Sequence, residues 1–293
     1  MRQRTGIGLA ILALAFTTSI VGCGSSTYVP PEPDVELAME IRAGGGSSQT
    51  STAQASTGTG WGSLKGQFIY DGDPPAPKSI PTGGKDAPTC HPNSVKDDSL
   101  LVNEDNRGIS NVVIFARKVS RIHESYEEQA EEARDFDQKE CLFTSHVLAM
   151  RVSQTFHIKN SDAVAHNTNF SPPGDVSSNQ LIAPGDDQDH KFNKQQSTPV
   201  GVTCSIHSWM KAYVLPRDDP YFAVADKNGA FELKNLPAGE EIEFQVWHER
   251  GTGNQGALIV PGLTDNRGRF TITIPADGET DQGALKLPPK AFN

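Results

Sequence analysis

Three patterns of apolar and polar positions divide this chain of 293 residues. Behind a basic start, Met1-Arg2-Gln3-Arg4, the segment Ile7–Ile20 is short, continuous and apolar. Gly44–Gly60 (GGGSSQTSTAQASTGTG) has no charge and no periodic apolar face, so it cannot bury a core. From Trp61 onward, short apolar runs are separated by Gly, Pro, Asn and Asp. A period of two bounded by turn residues predicts strands. Ser63–Tyr70, Ser99–Val102, Asn111–Arg117, Cys141–Val152, Thr155–Lys159, Val200–Thr203, Lys211–Leu215, Glu241–Trp247 and Phe270–Ile274 read this way. Phe222–Ala225 and Ala230–Leu233 read as a hairpin across Asp226-Lys227-Asn228-Gly229, since Asn-Gly suits a positive-φ turn. Glu124–Glu140 (ESYEEQAEEARDFDQKE) is densely acidic and reads as a helical or disordered insertion. The expected fold class is all-β.

The ends and the charge set the location. A basic n-region and a short apolar run make a secretory signal rather than a spanning helix. The run ends at Ile20-Val21-Gly22-Cys23, which resembles the lipobox of bacterial lipoproteins. That resemblance implies lipidation at Cys23 and an extracytoplasmic protein anchored to the bacterial envelope (periplasm or outer membrane) through lipid alone. No other stretch is long and apolar enough to span a bilayer. Residues 24–60 then form a disordered tether spanning roughly 35 Å on average. The formal net charge of −10 argues against nucleic-acid binding and suits a basic partner.

The candidate chemistry lies in Cys204-Ser205-Ile206-His207-Ser208-Trp209-Met210, with His166 upstream. A thiolate, two imidazoles and a thioether are the ligand set of a blue-copper electron-transfer site, in which Met is the long axial ligand. Soft sulfur favours Cu(I), and imidazole suits either copper state. Setting Cys23 aside leaves Cys90, Cys141 and Cys204, which cannot all pair. A Cys90–Cys141 disulfide would leave Cys204 as the metal thiolate. The rival is a second metal site using Cys90, His91, Cys141 and His146. His146 and His157 read as structural or exposed residues, and His248, at the end of a strand, as a structural residue that could also reach a neighbouring module. No Ser-His-Asp order, paired-carboxylate geometry or phosphate loop stands out.

Residues 141–217 resemble the C-terminal part of a cupredoxin, closest in ligand spacing to amicyanin-type proteins. The matching pieces are strand Val147–Val152, turn Ser153-Gln154, strand Phe156–Asn160, His166-Asn167 and Cys-x-x-His-x-x-Met at Cys204, His207 and Met210. Ser153-Gln154 replaces the family's Gly-Asp, and Val202 stands where an aromatic is usual. The resemblance implies His166, Cys204 and His207 as equatorial ligands and Met210 as the axial one, around one type 1 copper ion. It implies that Asn167 pins Ser205 beside the Cys, and that the exposed edge of His207 is the electron port, rimmed by Trp209 and Pro172-Pro173. Strands before Cys141, such as Asn111–Arg117, would then help to close the sheets.

A second resemblance covers the flanks. Tyr221–Glu249 is similar to the latter half of a carboxypeptidase-regulatory-like sandwich, a pattern also found in rhamnogalacturonan lyases. It rests on Asp226-x-x-Gly229-x-Phe231 and Leu236-Pro237-Ala238-Gly239. Gly62–Tyr70 and Asn111–Arg117 would supply its front half, with the copper segment inserted. The combination resembles bacterial envelope proteins grouped with methylamine-utilisation proteins. In both sandwich families this module is non-catalytic.

The expected organisation is a signal (1–23), a tether (24–60), first strands of a sandwich (61–120), an acidic insertion (121–140), a cupredoxin-like Greek-key sandwich (141–217) and a small carboxypeptidase-regulatory-like sandwich (218–293). The expected function is that of a membrane-anchored type 1 copper protein, not an enzyme. It would carry single electrons between envelope redox partners such as a c-type cytochrome or a dehydrogenase. The alternative is a structural or carbohydrate-binding envelope lipoprotein whose cupredoxin segment is non-functional.

Overall fold

The computed structural model describes residues 58–91 and 93–293. Cys23, the signal segment and the tether up to residue 57 lie outside the described residues. The chain builds β1 (Trp61–Tyr70), β2 (Ser79–Pro81), β3 (Ser94–Lys96) and β4 (Val113–Ala116). It continues through β5 (Ala133–Lys139), β6 (Leu142–Phe143), β7 (Val147–Arg151), β8 (Thr155–Asn160) and β9 (His166–Phe170). Then come β10 (Ser178–Ile182), β11 (Asp187–His190), β12 (Val200–Thr203) and β13 (Lys211–Arg217). The last strands are β14 (Phe222–Val224), β15 (Ala230–Pro237), β16 (Glu241–Trp247), β17 (Arg269–Thr273) and β18 (Glu279–Leu287). The only helical pieces among the described residues are short 3₁₀ turns. No helix among them is long and apolar enough to cross a membrane.

Four sheets carry the architecture. Sheet β10-β9-β12-β13-β7 and sheet β11-β8-β5-β6 enclose one core, with Phe136, Met150, Phe156, Ile158, Phe170 and Val202 among its buried residues. Sheet β15-β1-β18 and sheet β14-β4-β16-β17 enclose another, around Leu64, Phe68, Ile114, Phe231 and Phe244. The chain therefore leaves the second sandwich after β4, builds the first, and returns at β14. A third apolar layer, with Val113, Phe115, Val147, Ala149, Leu215 and Trp247, joins the two sandwiches.

This layering explains the composition of four strands. On β4, Ile114 and Ala116 face one core while Val113 and Phe115 face the joining layer. On β7, Leu148 and Met150 alternate with Val147 and Ala149 in the same way. β13 places Ala212 and Val214 in the core of the first sandwich and Leu215 in the joining layer. β16 sends Ile242, Phe244 and Val246 to one core and Trp247 to the layer between. A strand covered on both faces tends to be apolar throughout, as β4 (VIFA) and most of β7 (VLAMR) are, whereas β16 keeps Glu241, Glu243 and Gln245 between its apolar residues.

Three expectations need correction. Residues 121–140 are not a helical or disordered insertion throughout, because β5 runs parallel to β8 with Phe136 and Gln138 buried. Its alternation, ARDFDQK, offers one large apolar residue among charges, so acidity masks the strand. The first sandwich thus begins at Ala133 rather than at Cys141, and β5, not Asn111–Arg117, closes its second sheet. Second, β14 and β15 are not a hairpin. They enter opposite sheets, β14 beside β4 and β15 beside β1, so Asp226–Gly229 is an arch. The turn itself is as expected, with the Gly229 N–H donating to the Asp226 carbonyl at 2.9 Å and Gly229 at φ +76°. A Cβ there would lie 2.2 Å from the Phe68 carbonyl oxygen, so glycine is required. Third, Ser99–Val102 forms only an isolated bridge, Val102 to Ile109.

Charges also cross the joining layer. Glu249, just after β16, accepts from His146 Nε2, from Lys211 Nζ at 3.0 Å and from Tyr213 Oη at 3.2 Å. His146 Nδ1 meets Asp98 Oδ2 at 3.0 Å. His248 is buried and packs edge-on against Phe292, in the structural role expected first, and the contact across the layer is made by Glu249. Burial alone would lower the pKa of His146, but the carboxylates of Asp98 and Glu249 outweigh it and raise it to about 9. Burial would likewise raise Glu249, but His146 and Lys211 bring it down to about 2.

Three outcomes follow. Phe136→Ala should cost about 3–5 kcal/mol in denaturant unfolding, the range for a truncated core aromatic; an insertion outside the core would lose far less. The His146 contribution is fully present below its unfolded pKa, near 6.5, and is lost as pH rises through about 9. Unfolding free energy should therefore fall between those pH values in the wild type, and fall less in His146→Gln. Glu249→Gln, which strands a buried partner, should cost about 3–5 kcal/mol at pH 7.

Candidate metal centre

Two connections converge at one end of the first sandwich. The β8–β9 loop delivers His166 as the first residue of β9, and the β12–β13 loop carries residues 204–210. That second loop closes on itself. The Cys204 N–H donates to the Met210 carbonyl at 3.3 Å, and the Met210 N–H to the His207 carbonyl at 2.9 Å. The closure turns Cys204, His207, Trp209 and Met210 inward and leaves Ser205, Ile206 and Ser208 exposed.

His166, Cys204 and His207 are all buried, and their ligand atoms lie within 4.8 Å of one another. His166 Nδ1 is 2.8 Å from His207 Nδ1, and His207 Nδ1 is 3.8 Å from Cys204 Sγ. Met210 is buried in the apolar cluster that also holds Cys204 and Trp209. Asn167 lies beside this group. Its Oδ1 accepts from the Ser205 N–H at 2.8 Å and stands 3.4 Å from Cys204 Sγ, while its Nδ2 donates to Ser205 Oγ at 3.2 Å. Asn167 and Ser205 are thus partners.

Asp162 orients His166. Its Oδ2 meets His166 Nε2 at 2.8 Å, which leaves Nδ1 to face the centre. The same carboxylate accepts the Glu140 N–H at 2.6 Å and the Cys141 N–H at 2.7 Å. Glu140 and Cys141 both have positive φ, 56° and 53°, a conformation costly for residues with side chains. Asp162 and the Cys90–Cys141 disulfide hold that turn in place. Trp209 completes the wall, with its Nε1 donating to the Cys141 carbonyl at 3.0 Å and its ring 5.1 Å from that of His207.

The electrostatics match this arrangement. Burial pushes the His166 pKa down, but Cys204 and Asp162 outweigh it and the net direction is up. Burial pushes the Cys204 thiol up, yet His166 and neighbouring backbone N–H groups bring it down. Burial, and then the charge of His166, push His207 down. The directions differ for the two facing imidazoles, up for His166 and down for His207, and their Nδ1 atoms stand 2.8 Å apart beside the Cys204 sulfur. A soft metal cation held there meets two imidazole nitrogens and a thiolate, which suits copper.

Several expectations change. Cys141 and Asp162 also cluster with His166. Cys141 is disulfide-bonded to Cys90 and His146 is held by Asp98 and Glu249, so the rival second metal site is not assembled. The edge of His207 is not an exposed port. The residue is 1 % exposed, with Asp86 Oδ2 3.4 Å from its Nε2. Trp209 is buried and Pro172 is covered, leaving Pro173 exposed from the expected rim. Asp162 and Asp86 were not anticipated. Asp162 had a faint signal in its position four residues before His166, whereas Asp86 had none.

No family model matches the sequence, and no curated protein matches it. Similar solved structures are copper proteins. The Cu-containing nitrite reductase (NirK) from Thermus scotoductus SA-01 matches at 19 % identity and TM-score 0.26, over 28 % of this chain and 22 % of that one. A purple cupredoxin from Nitrosopumilus maritimus matches at 19 % and 0.24, over 28 % and 98 %. Amicyanin from Paracoccus versutus matches at 12 % and 0.26, over 36 % and 97 %. This chain thus spans about a fifth of the nitrite reductase, and scores this low assign no function to it.

Asp162→Ala leaves three donors without their acceptor. It should lower Cu(II) affinity by about 10–100-fold and unfolding free energy by about 2–3 kcal/mol, measured by competition titration and denaturant melts. Ser208→Ala, on the exposed side of the ligand loop, should change neither.

Proposed function

We propose that this protein is a mononuclear type 1 copper protein that carries single electrons. The observation that supports this reading is the buried convergence of His166 Nδ1, His207 Nδ1 and Cys204 Sγ. In this reading the two imidazoles and the thiolate hold the ion and the Met210 thioether completes the set. A copper ion held there would exchange one electron between its Cu(I) and Cu(II) states.

The chain's own residues serve that role by staying still. Asp162 keeps His166 in the tautomer that presents Nδ1, and Asn167 bonds both the Ser205 backbone and its hydroxyl. Ligands held from outside need little rearrangement when charge changes. Four protein ligands leave no position for a substrate, which favours a carrier over an enzyme. The Cys90–Cys141 disulfide is consistent with an extracytoplasmic setting, where a lipid anchor at Cys23 would hold the protein at the envelope. A net charge of −10 suits a basic redox partner such as a c-type cytochrome.

Visible and EPR spectra during Cu(II) titration test the proposal. The expected result is an intense thiolate-to-copper band with narrow copper hyperfine splitting, saturating at a single equivalent and lost in Cys204→Ser. A colourless protein with its disulfide formed and Cys204 free would overturn it and favour a structural or carbohydrate-binding role.

A further inference from the structure

His207 faces the centre through Nδ1, and its other ring nitrogen is buried without a hydrogen bond. The nearest carboxylate is that of Asp86, with Oδ2 at 3.4 Å. A carboxylate that close disfavours a lone pair on Nε2 and favours a proton there. An imidazole that gives Nδ1 to a metal also keeps its proton on Nε2, and a buried N–H without an acceptor is costly. Metal-bound histidines nearly always donate their second N–H to a carboxylate, a carbonyl or water. His166 does so through Asp162 at 2.8 Å. Asp86 stands where the same service to His207 is needed.

Asp86 arrives from a different part of the fold. It lies on the loop between β2 and β3, whose described residues fold back on themselves. The Thr89 and Cys90 N–H groups both donate to the Asp86 carbonyl at 2.9 Å, and Ala87 is buried. The loop is fastened to the copper-segment sandwich at Cys90–Cys141 and again where His91 Nε2 meets the Glu140 carbonyl at 2.7 Å. Cys141 in turn accepts from Trp209, whose ring packs on His207. The latch and the ring that it covers therefore share one wall.

We propose that Asp86 is a positioning residue of the metal centre, the acceptor for His207 Nε2–H, delivered by a disulfide-latched loop that closes this edge of the site. The proposal rests on the metal reading above for its purpose, but its geometry can be read without metal. In the metal-free full chain, imidazole ¹⁵N spectra should show His207 with its proton on Nε2 and slow exchange of that proton with water. Asp86→Asn should mix the tautomers, speed the exchange and weaken Cu(II) binding by about 10–100-fold. Cys90→Ser/Cys141→Ser should speed the exchange as well. A wild-type His207 that carries its proton on Nδ1, or exchanges Nε2–H at the solvent rate, would overturn the proposal, whether or not the variants fold. So would an Asp86→Asn protein with unchanged His207 signals and unchanged Cu(II) affinity. A wild-type chain that stays colourless with Cu(II) while showing the expected His207 signals would remove the electron-transfer reading and keep the Asp86–His207 contact.

Discussion

Burial of β13 on both faces is the constraint on which the rest depends. Its side chains alternate between the core of the copper-segment sandwich and the layer that joins it to the second sandwich. The strand starts immediately after Met210, so one end of the ligand loop is fixed by two apolar layers at once. The other end leaves β12, which pairs with β13 from Val200–Val214 to Thr203–Lys211. A loop between two paired, buried strands has few conformations open to it. The Cys204–Met210 backbone bond selects the one that turns the ligand side chains inward.

The polar groups of the centre solve a separate problem. Two imidazoles and a thiol in an apolar interior each need partners, because an unpaired buried polar group is costly. The structure meets this need with groups that also do structural work. Asp162 serves His166 and the positive-φ turn at Glu140-Cys141 together. Asn167 serves Cys204 and Ser205, and Trp209 ties the ligand loop to Cys141. The disulfide turn is therefore part of the framework of the centre rather than a remote staple.

How much of this was legible follows from where each cause resides. Cys204, His207 and Met210 stand at short spacing and drew attention to the loop, while His166, far upstream, and the Asn167–Ser205 bond were reached through the cupredoxin resemblance. The all-β class was legible because turn residues punctuate every run. β5 was hidden because Phe136 is one large apolar residue in a charged stretch, and its partner β8 comes later in the chain. The arch at Asp226–Gly229 was mistaken for a hairpin because turn chemistry fixes the reversal and not the sheet each arm joins. Asp86 was invisible because its contact with His207 is set by the loop's fold and the Cys90–Cys141 latch.

The second sandwich bears on the centre through both ends of β13. At its start, Lys211 meets Glu249 at 3.0 Å, one residue beyond Met210. At its end, Arg217 donates to the Ala116 and Arg117 carbonyls at 2.8 and 3.1 Å and lies over the Phe115 ring. Arg217 is buried and its guanidinium keeps its charge, so it needs those carbonyls and Asp219 at 3.7 Å as partners. Buried charges add little net stability when they replace apolar contacts, but they penalise every register other than the one that pairs them. A slip of β13 by one residue would strand Arg217 and Glu249 and exchange the two apolar faces. The ligand loop inherits that register. In this register the second sandwich supplies the partners of Lys211 and Arg217 at the two ends of β13.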